Sequence, residues 1–256
     1  MKQIGKKILT WEAQGNFTPR WYSLLINPYF ISRSSLYRAV NRFASQCSAG
    51  GTILDVGCGS QPYRHLFASQ RYIGIDIEGG GHSQSQKNVE AFFDGQHIPY
   101  GDASFDAVII TEVLEHADDP VALIREINRV LKADGKLLVT MPFVWDEHEQ
   151  PYDFRRFTRF EHQRLLERNG FRVVSIQKTT GIFATTGQLI SAFLIELFAG
   201  GLDRMKLKFR YSYPLKKICT LVVCFPLQLL GLALDVVFRH RGITLDYVVI
   251  AQTHAV

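Results

Sequence analysis

No cysteine or histidine spacing in this chain matches a metal-binding motif. The four cysteines, Cys47, Cys58, Cys219 and Cys224, are scattered, and the eight histidines form no HExxH pair or other paired arrangement. Free thiols in a reducing compartment and no metal are therefore expected. The basic start, MKQIGKKILT, runs into Trp11 and Glu12 without an apolar core, so it does not read as a signal peptide. A P-loop ending in Gly-Lys-Ser/Thr is missing. The dinucleotide fingerprint is missing too, because Pro62 stands where its third glycine would let a helix pack beneath a pyrophosphate. An excess of charge of one sign is missing outside a single segment. Arg204, Lys206, Lys208, Arg210, Lys216 and Lys217 against Asp203 give that segment +5, equal to the net charge of the whole chain. The rest is neutral, which argues against a general nucleic-acid surface.

What is present begins with Thr52 to Phe67, TILDVGCGSQPYRHLF. β-formers lead into Asp55, Gly57, Cys58 and Gly59, and Tyr63 to Phe67 reads as the opening of a helix. Glycines allow close backbone approach to a ligand, and a helix start offers unpaired N–H groups. A second strand, RYIGIDI, follows, with Asp76 about twenty residues beyond Asp55, a spacing that suits a carboxylate taking both hydroxyls of a ribose.

Further along, strands and helices alternate. GGGHSQSQK, with His82, reads as a mobile polar loop, VEAFFD as strand three and FDAVIIT as a buried strand four. Asp119 with Pro120 opens an amphipathic helix lasting to Asp134-Gly135; KLLVTMP is strand five. Thr158 and Glu161 form a capping box for a helix ending at Asn169-Gly170, FRVVSIQ is strand six and TLDYVVIAQ strand seven. Upstream, Ser34 to Ala44 fits a helix with Leu36, Tyr37, Val40, Phe43 and Ala44 on one face. The fold class is α/β: a doubly wound, seven-stranded Rossmann-like sheet, with ligands beyond the carboxyl ends of its strands. The expected division is an N-terminal cap over 1–48, a core over 49–180, an insertion over 181–243 and a last strand over 244–256.

DVGCGS, GIDI, FFDGQHIPYGDASFDAVIITEVLEHADDP and LKADGKLLVTMP, in this order, resemble the successive motifs of class I S-adenosylmethionine-dependent methyltransferases, most closely the type 11 branch. The resemblance covers roughly residues 50 to 180 and implies roles by position. Asp55, Gly57 and Gly59 would line the methionine part of S-adenosylmethionine, Asp76 would bind the ribose hydroxyls, Asp94 with Gly95 would meet the adenine edge, and Cys58 and Ile77 would also be cofactor-binding. Thr111 to His116 would close the floor. Ser60 and Gln61 depart from a frequent third glycine, implying a tighter pocket.

Methyl transfer needs alignment more than acid–base chemistry, and a base only where the acceptor is protonated at neutral pH. The loop FVWDEHEQPYDFRRFT, at the exit of strand five, supplies His148 as first candidate base, with His116 as second. A salt-bridged connector is the alternative reading of that loop.

Between strands six and seven lie two apolar stretches, Ile182 to Phe198 and Ile218 to Phe238, around the basic connector. A transmembrane hairpin conflicts with Glu196, Pro226, Asp235 and the positive-inside tendency. Interfacial helices on an anionic membrane surface through 181–241, or a soluble cap or dimer interface, remain. The expectation is a cytoplasmic methyltransferase, peripheral on the inner face of a membrane, acting on a hydroxyl of a lipid or lipid-linked glycan. No nucleic-acid partner is expected, and an oligomer is possible. A soluble enzyme acting on a small molecule, such as a quinone precursor, and a non-catalytic membrane adaptor are the alternatives.

Overall fold

A computed structural model describes residues 17–79, 87–206, 209–238 and 242–254. His82 and most of its loop, Lys208 and the basic N-terminus lie outside the described residues. Two compact units divide the chain: described residues up to Tyr37 with Thr179–Leu245, and Arg38–Lys178 with the segment from Asp246 onward. The segment before Tyr37 thus groups with the insertion, and the division falls inside a helix.

The second unit holds a seven-stranded sheet: β1 (Thr52–Val56), β2 (Arg71–Ile77), β3 (Ala91–Phe93), β4 (Phe105–Thr111), β5 (Leu131–Pro142), β6 (Phe171–Lys178) and β7 (Asp246–Thr253). Their spatial order is β3-β2-β1-β4-β5-β7-β6. The first five are parallel, and β7 runs antiparallel to both β5 and β6. The chain reverses across β1, whose neighbours are β2 and β4, so the carboxyl end of β1 is the switch point where α/β sheets take ligands. Ile53, Leu54 and Val56 on β1, and Val108, Ile109 and Ile110 on β4, are fully buried, as continuous apolar runs of a parallel sheet require.

Two short α-helices precede the sheet, α1 (Ser23–Ile26) and α2 (Phe30–Ala44); α2 crosses the division between units and buries Leu36, Val40, Phe43 and Ala44. Helix α3 (Pro120–Val130) starts as the sequence expects, with Asp119 Oδ1 accepting from the N–H groups of Val121 and Ala122. It ends at Val130, four residues before the expected stop, because Leu131 already pairs with Phe105 on β4. In α4 (Arg159–Arg168) the Thr158 hydroxyl accepts from Glu161 N–H, and Gly170 at φ 85° follows the helix end. A second correction concerns the residues after the glycine turn. Tyr63 to Phe67 do not open an α-helix; Arg64–Phe67 form one 3-10 turn. Arg71 already begins β2, and Gln61 sits at φ 56° just before Pro62, which has no N–H to donate.

In the first unit, α5 (Ile182–Arg204) packs on α7 (Phe225–Phe238), and α6 (Phe209–Cys219) leads into α7 through a π-helical turn over Thr220–Cys224. The widened turn lies just before Pro226, and Phe225 N–H reaches back five residues to Thr220 O. Helices α5 and α7 meet at glycines: a Cβ on Gly187 would stand 2.8 Å from Leu227 O, and one on Gly231 2.7 Å from Phe183 O. Asp235 on α7 accepts from the N–H groups of Gly181 (2.7 Å) and Phe183 (3.0 Å), capping the start of α5 from the neighbouring helix. Gln188 and Gln228, both fully buried, accept from Ile31 N–H and donate to the carbonyls of Pro28 and Asn27. The insertion and the segment before α2 therefore share one polar seam.

His162 on α4 is buried edge-on to the rings of Phe157 and Tyr247, and burial pushes its pKa down to about 4. Between the ordinary value of 6.5 and about 4, the unfolded chain takes up a proton that the native state refuses, so stability falls as the pH drops through that window. His162→Phe should remove this loss. Denaturant melts should show the variant near wild-type stability at about pH 7.5 and more stable by on the order of 2–3 kcal/mol at about pH 4.5.

Candidate functional site

The exit of β1 is held by backbone geometry that only glycine adopts readily. Gly57 and Gly59 lie at φ 73° and 51°, and the N–H groups of Gly57 and Cys58 donate to Ile75 O on β2. A Cβ on Gly57 would stand 2.3 Å from Val113 Cγ2, so β1 and the loop leaving β4 touch there with no room for a side chain. A Cβ on Gly59 would meet nothing within 4 Å. The two glycines differ in kind: one serves packing, the other faces open space.

Acidic groups surround the turn. Asp76, at the end of β2, accepts from Gly59 N–H (2.8 Å) and Ile77 N–H (2.8 Å), and Lys87 Nζ lies 2.8 Å from its Oδ1. Lys87 also donates to the carbonyls of Ile77 and Gly79, which pins the chain leaving β2 over this carboxylate. Asp55 is buried beneath: its Oδ2 accepts from the Tyr72 hydroxyl, while Oδ1 has no partner. Burial raises the Asp55 pKa to about 7, against the opposing pull of the Tyr72 hydrogen bond. Cys58 is buried and its thiol is pushed well up by that burial, so it is an inert packing residue.

The expected adenine side is arranged differently from a free carboxylate. Asp94 accepts from the N–H groups of Gln96 and His97 and pairs with the His97 ring, closing a tight turn that holds its pKa well below the usual range. Gly95 at φ 85° lies in that turn, its Cβ direction 3.6 Å from Ile77 Cγ2. Ile77, at the end of β2, is more than a third exposed and offers an apolar surface beside that turn. Thr111 ends β4, opposite Thr140 on β5.

A second cluster follows from that pairing. The loops after β4 and β5 leave the same sheet edge and bring Glu115 and His116 against His148 and Asp153. His116 and His148 stack edge to face with centroids 4.8 Å apart, and each Nε2 lies 3.8 Å from Glu115 Oε1. Asp153 Oδ2 is 3.1 Å from His148 Nδ1, and Arg156 grips both Asp153 oxygens. Burial opposes ionisation of Asp153, but Arg156 prevails and holds its pKa at about 2. Glu115 is fully buried with both oxygens unpartnered; burial first, then the Glu112 carboxylate, push its pKa well above the ordinary range. His148 is lowered by burial. The two histidines named from the sequence are thus adjacent. Glu115 between them, and the ordering of His148 by Asp153, were not singled out, since nothing in a linear pattern sets residue 115 beside residue 148. Lys87 over Asp76 was missed for the same reason.

Residues 54–139 match the methyltransferase domain family. The chain is 32% identical over 177 residues to a probable S-adenosylmethionine-dependent methyltransferase of Mycolicibacterium smegmatis, covering 63% of this chain and 65% of that protein. It is 31% identical over 147 residues to the mitochondrial ubiquinone biosynthesis O-methyltransferase of Rattus norvegicus, covering 51% and 42%. The alignments thus span less than two thirds of either relative. A solved structure, the Haemonchus contortus phosphoethanolamine N-methyltransferase 2 in complex with S-adenosyl-L-methionine, overlays with a TM-score of 0.53 at 16% identity over 88% of this chain and 53% of that one, a likeness of fold. Sheet order, glycine turn and family match agree: residues 54–139 form a methyltransferase domain, and its kinship with S-adenosylmethionine-dependent enzymes makes S-adenosylmethionine its cofactor. The turn fits that compound, offering an open Gly59 beside an acidic strand end and a buried carboxylate with a spare oxygen.

The glycines give a direct test. Gly59→Ala should cost only the roughly 1–2 kcal/mol of a left-handed alanine, keeping the fold, while weakening S-adenosylhomocysteine binding by calorimetry at least about tenfold. Gly57→Ala should instead lower thermal stability markedly, since its Cβ has no space beside Val113.

Proposed function

We propose that the protein transfers the methyl group of S-adenosylmethionine to a hydroxyl of a lipid or lipid-linked glycan while resting on a membrane surface. On this reading Asp55, Gly57, Cys58 and Gly59 receive the methionine part, Asp76 and Ile77 the ribose, Asp94 and Gly95 the adenine edge, and Thr111 the floor. Lys87 must then yield at least one Asp76 oxygen to the ribose hydroxyls. The acceptor oxygen forms its bond to the methyl carbon with a lone pair; the carbon–sulfur bond breaks with its electrons remaining on sulfur, and the acceptor proton leaves to a base. His148, oriented by Asp153, is the first candidate to receive that proton, and His116 the second. The name of the Rattus norvegicus relative is that of an O-methyltransferase, in keeping with a hydroxyl acceptor.

The membrane part rests on one observation. The 27-residue helical stretch Ser212–Phe238 is apolar and long enough to cross a bilayer, yet only 17% of its most apolar window is buried. Ile218, Val222, Leu230, Val236, Val237 and Phe238 each present more than half of their surface. A core helix of a soluble domain buries such residues. Asp235 turns inward to cap the α5 N-terminus, and Glu196, which is exposed, accepts from the Tyr29 hydroxyl. Arg204, the last residue of α5, and Lys206 just beyond it are exposed, placing positive charge where anionic headgroups would attract it at about 1 kcal/mol each. Lys217 is less free, since it donates to Ile26 O and lies over the Tyr213 ring.

Purified protein should float with anionic vesicles and remain in solution with neutral ones. Val236→Asp with Val237→Asp should cut that flotation at least about tenfold without loss of thermal stability, because each buried valine contributes roughly 1.5 kcal/mol or more. Incubated with methyl-labelled donor and separated cell fractions, the wild type should place label in the lipid pool. Label confined to water-soluble small molecules would overturn the acceptor assignment.

A further inference from the structure

The cluster between the loops after β4 and β5 has an electrostatic peculiarity that a hydrogen-bonded proton relay does not account for. His116 Nδ1 lies 2.9 Å from the Tyr152 carbonyl, which only accepts, so Nδ1 carries the proton and Nε2 presents a lone pair. His148 Nδ1 lies 3.1 Å from Asp153, whose two oxygens are already gripped by Arg156, so Nδ1 again carries the proton and Nε2 the lone pair. Both lone pairs point toward Glu115 Oε1, at 3.8 Å each. Glu115 is fully buried, and neither of its oxygens nor His116 Nε2 has a hydrogen-bond partner. Three ligand atoms therefore converge with no hydrogen bond among them, and a proton on Glu115, which burial favours, would still stand 3.8 Å from either lone pair. Protonating the Nε2 atoms would not repair this. It would set two imidazolium rings 4.8 Å apart, still beyond hydrogen-bond reach of the carboxylate.

A cation satisfies all three at once. We propose that Glu115, His116 and His148 form a binding site for one divalent transition-metal ion of the zinc type. The three candidate ligand atoms lie within 4.8 Å of one another. Metal–ligand bonds of about 2.0–2.2 Å bring ligand atoms to about 3–3.5 Å apart, which small side-chain rotations supply. Two imidazoles and one carboxylate suit zinc, manganese or iron(II) and not calcium, which prefers an all-oxygen cage. Three protein ligands leave coordination positions open, the pattern of a catalytic site. The surroundings match as well: Asp153 holds the remote nitrogen of His148 and a backbone carbonyl holds that of His116, the partners that ligating histidines use to fix tautomer and direction. Glu112 and Asp153 face Glu115 against the single Arg156, an acidic surrounding that suits a cation.

The sequence expectation of no metal came from the absence of a spacing motif. The pairing of Thr111 with Thr140 supplies the proximity instead, by starting both loops from neighbouring strand ends. The site deepens the methyl-transfer reading and, in its role, rests on it: a bound cation lowers the pKa of a coordinated hydroxyl, so His148 and His116 would act as ligands, with proton loss from the acceptor promoted by the metal.

The test uses untagged, chelator-treated full-length protein titrated with zinc chloride by calorimetry, and with cobalt(II) followed by visible absorption. The expected result is one equivalent bound, with cobalt absorption typical of nitrogen and oxygen ligands. Glu115→Gln and, separately, His148→Gln should each weaken zinc binding at least about tenfold, while circular dichroism and S-adenosylhomocysteine binding stay at wild-type values. Should Glu115→Gln fail to fold, His116→Gln serves as the second variant. No zinc uptake by wild type, or uptake unchanged in these variants, would overturn the site. Because donor binding is measured on the same samples, failure of the metal site leaves the methyltransferase reading standing, and loss of donor binding in the wild type would overturn that reading instead.

Discussion

The contact on which the catalytic unit depends is the one between Gly57 and Val113. Here the turn leaving β1 presses against the loop leaving β4 so closely that no Cβ fits. The first of these segments is the turn proposed to receive the donor. The second continues within two residues to Glu115 and then His116. One backbone-to-methyl contact thus sets the separation between that turn and the cluster of Glu115, His116 and His148. In a reaction governed by alignment, such a fixed separation matters more than any single proton donor.

Around that contact the sheet supplies direction. Parallel strands β2, β1, β4 and β5 present their carboxyl ends on one edge, so Asp76, the glycine turn, Thr111 and the loop after β5 share a face without needing to be near in sequence. The polar groups on that edge fall into two classes. Asp76 and Asp94 are already engaged by backbone N–H groups, which fixes their positions. Asp55 and Glu115 are buried with unused oxygens, and such groups are costly unless something else completes them.

Much of the scaffold was legible in the residues because it depends on local rules. The apolar run of β4, the Asp119-Pro120 start of α3 and the Thr158-Glu161 box of α4 each stand where their chemistry places them. The readings that failed were overruled by neighbours in space. The helix expected after the glycines had too little chain before β2, and α3 stopped early because Leu131 was taken by Phe105. Of the candidate site, the meeting of Gly59 with Asp76 was legible, since glycine and aspartate follow a fixed order along two adjoining strands. The site's other half joins residues about thirty positions apart through strand pairing, and no periodicity or spacing rule encodes that meeting. His116 and His148 could be named singly, but not as neighbours of one buried carboxylate.

The joint between the sheet and the helical stretch carries an implication for how this chain can be dissected. Lys178 pairs directly with Tyr247, so the sixty-odd residues between them depart from and return to a single rung of an antiparallel ladder. A gap of that width is what a tight reverse turn spans. The helical elaboration is thus grafted at a hairpin bend, a place where evolution or a protein engineer can lengthen, exchange or excise material while the sheet keeps its register.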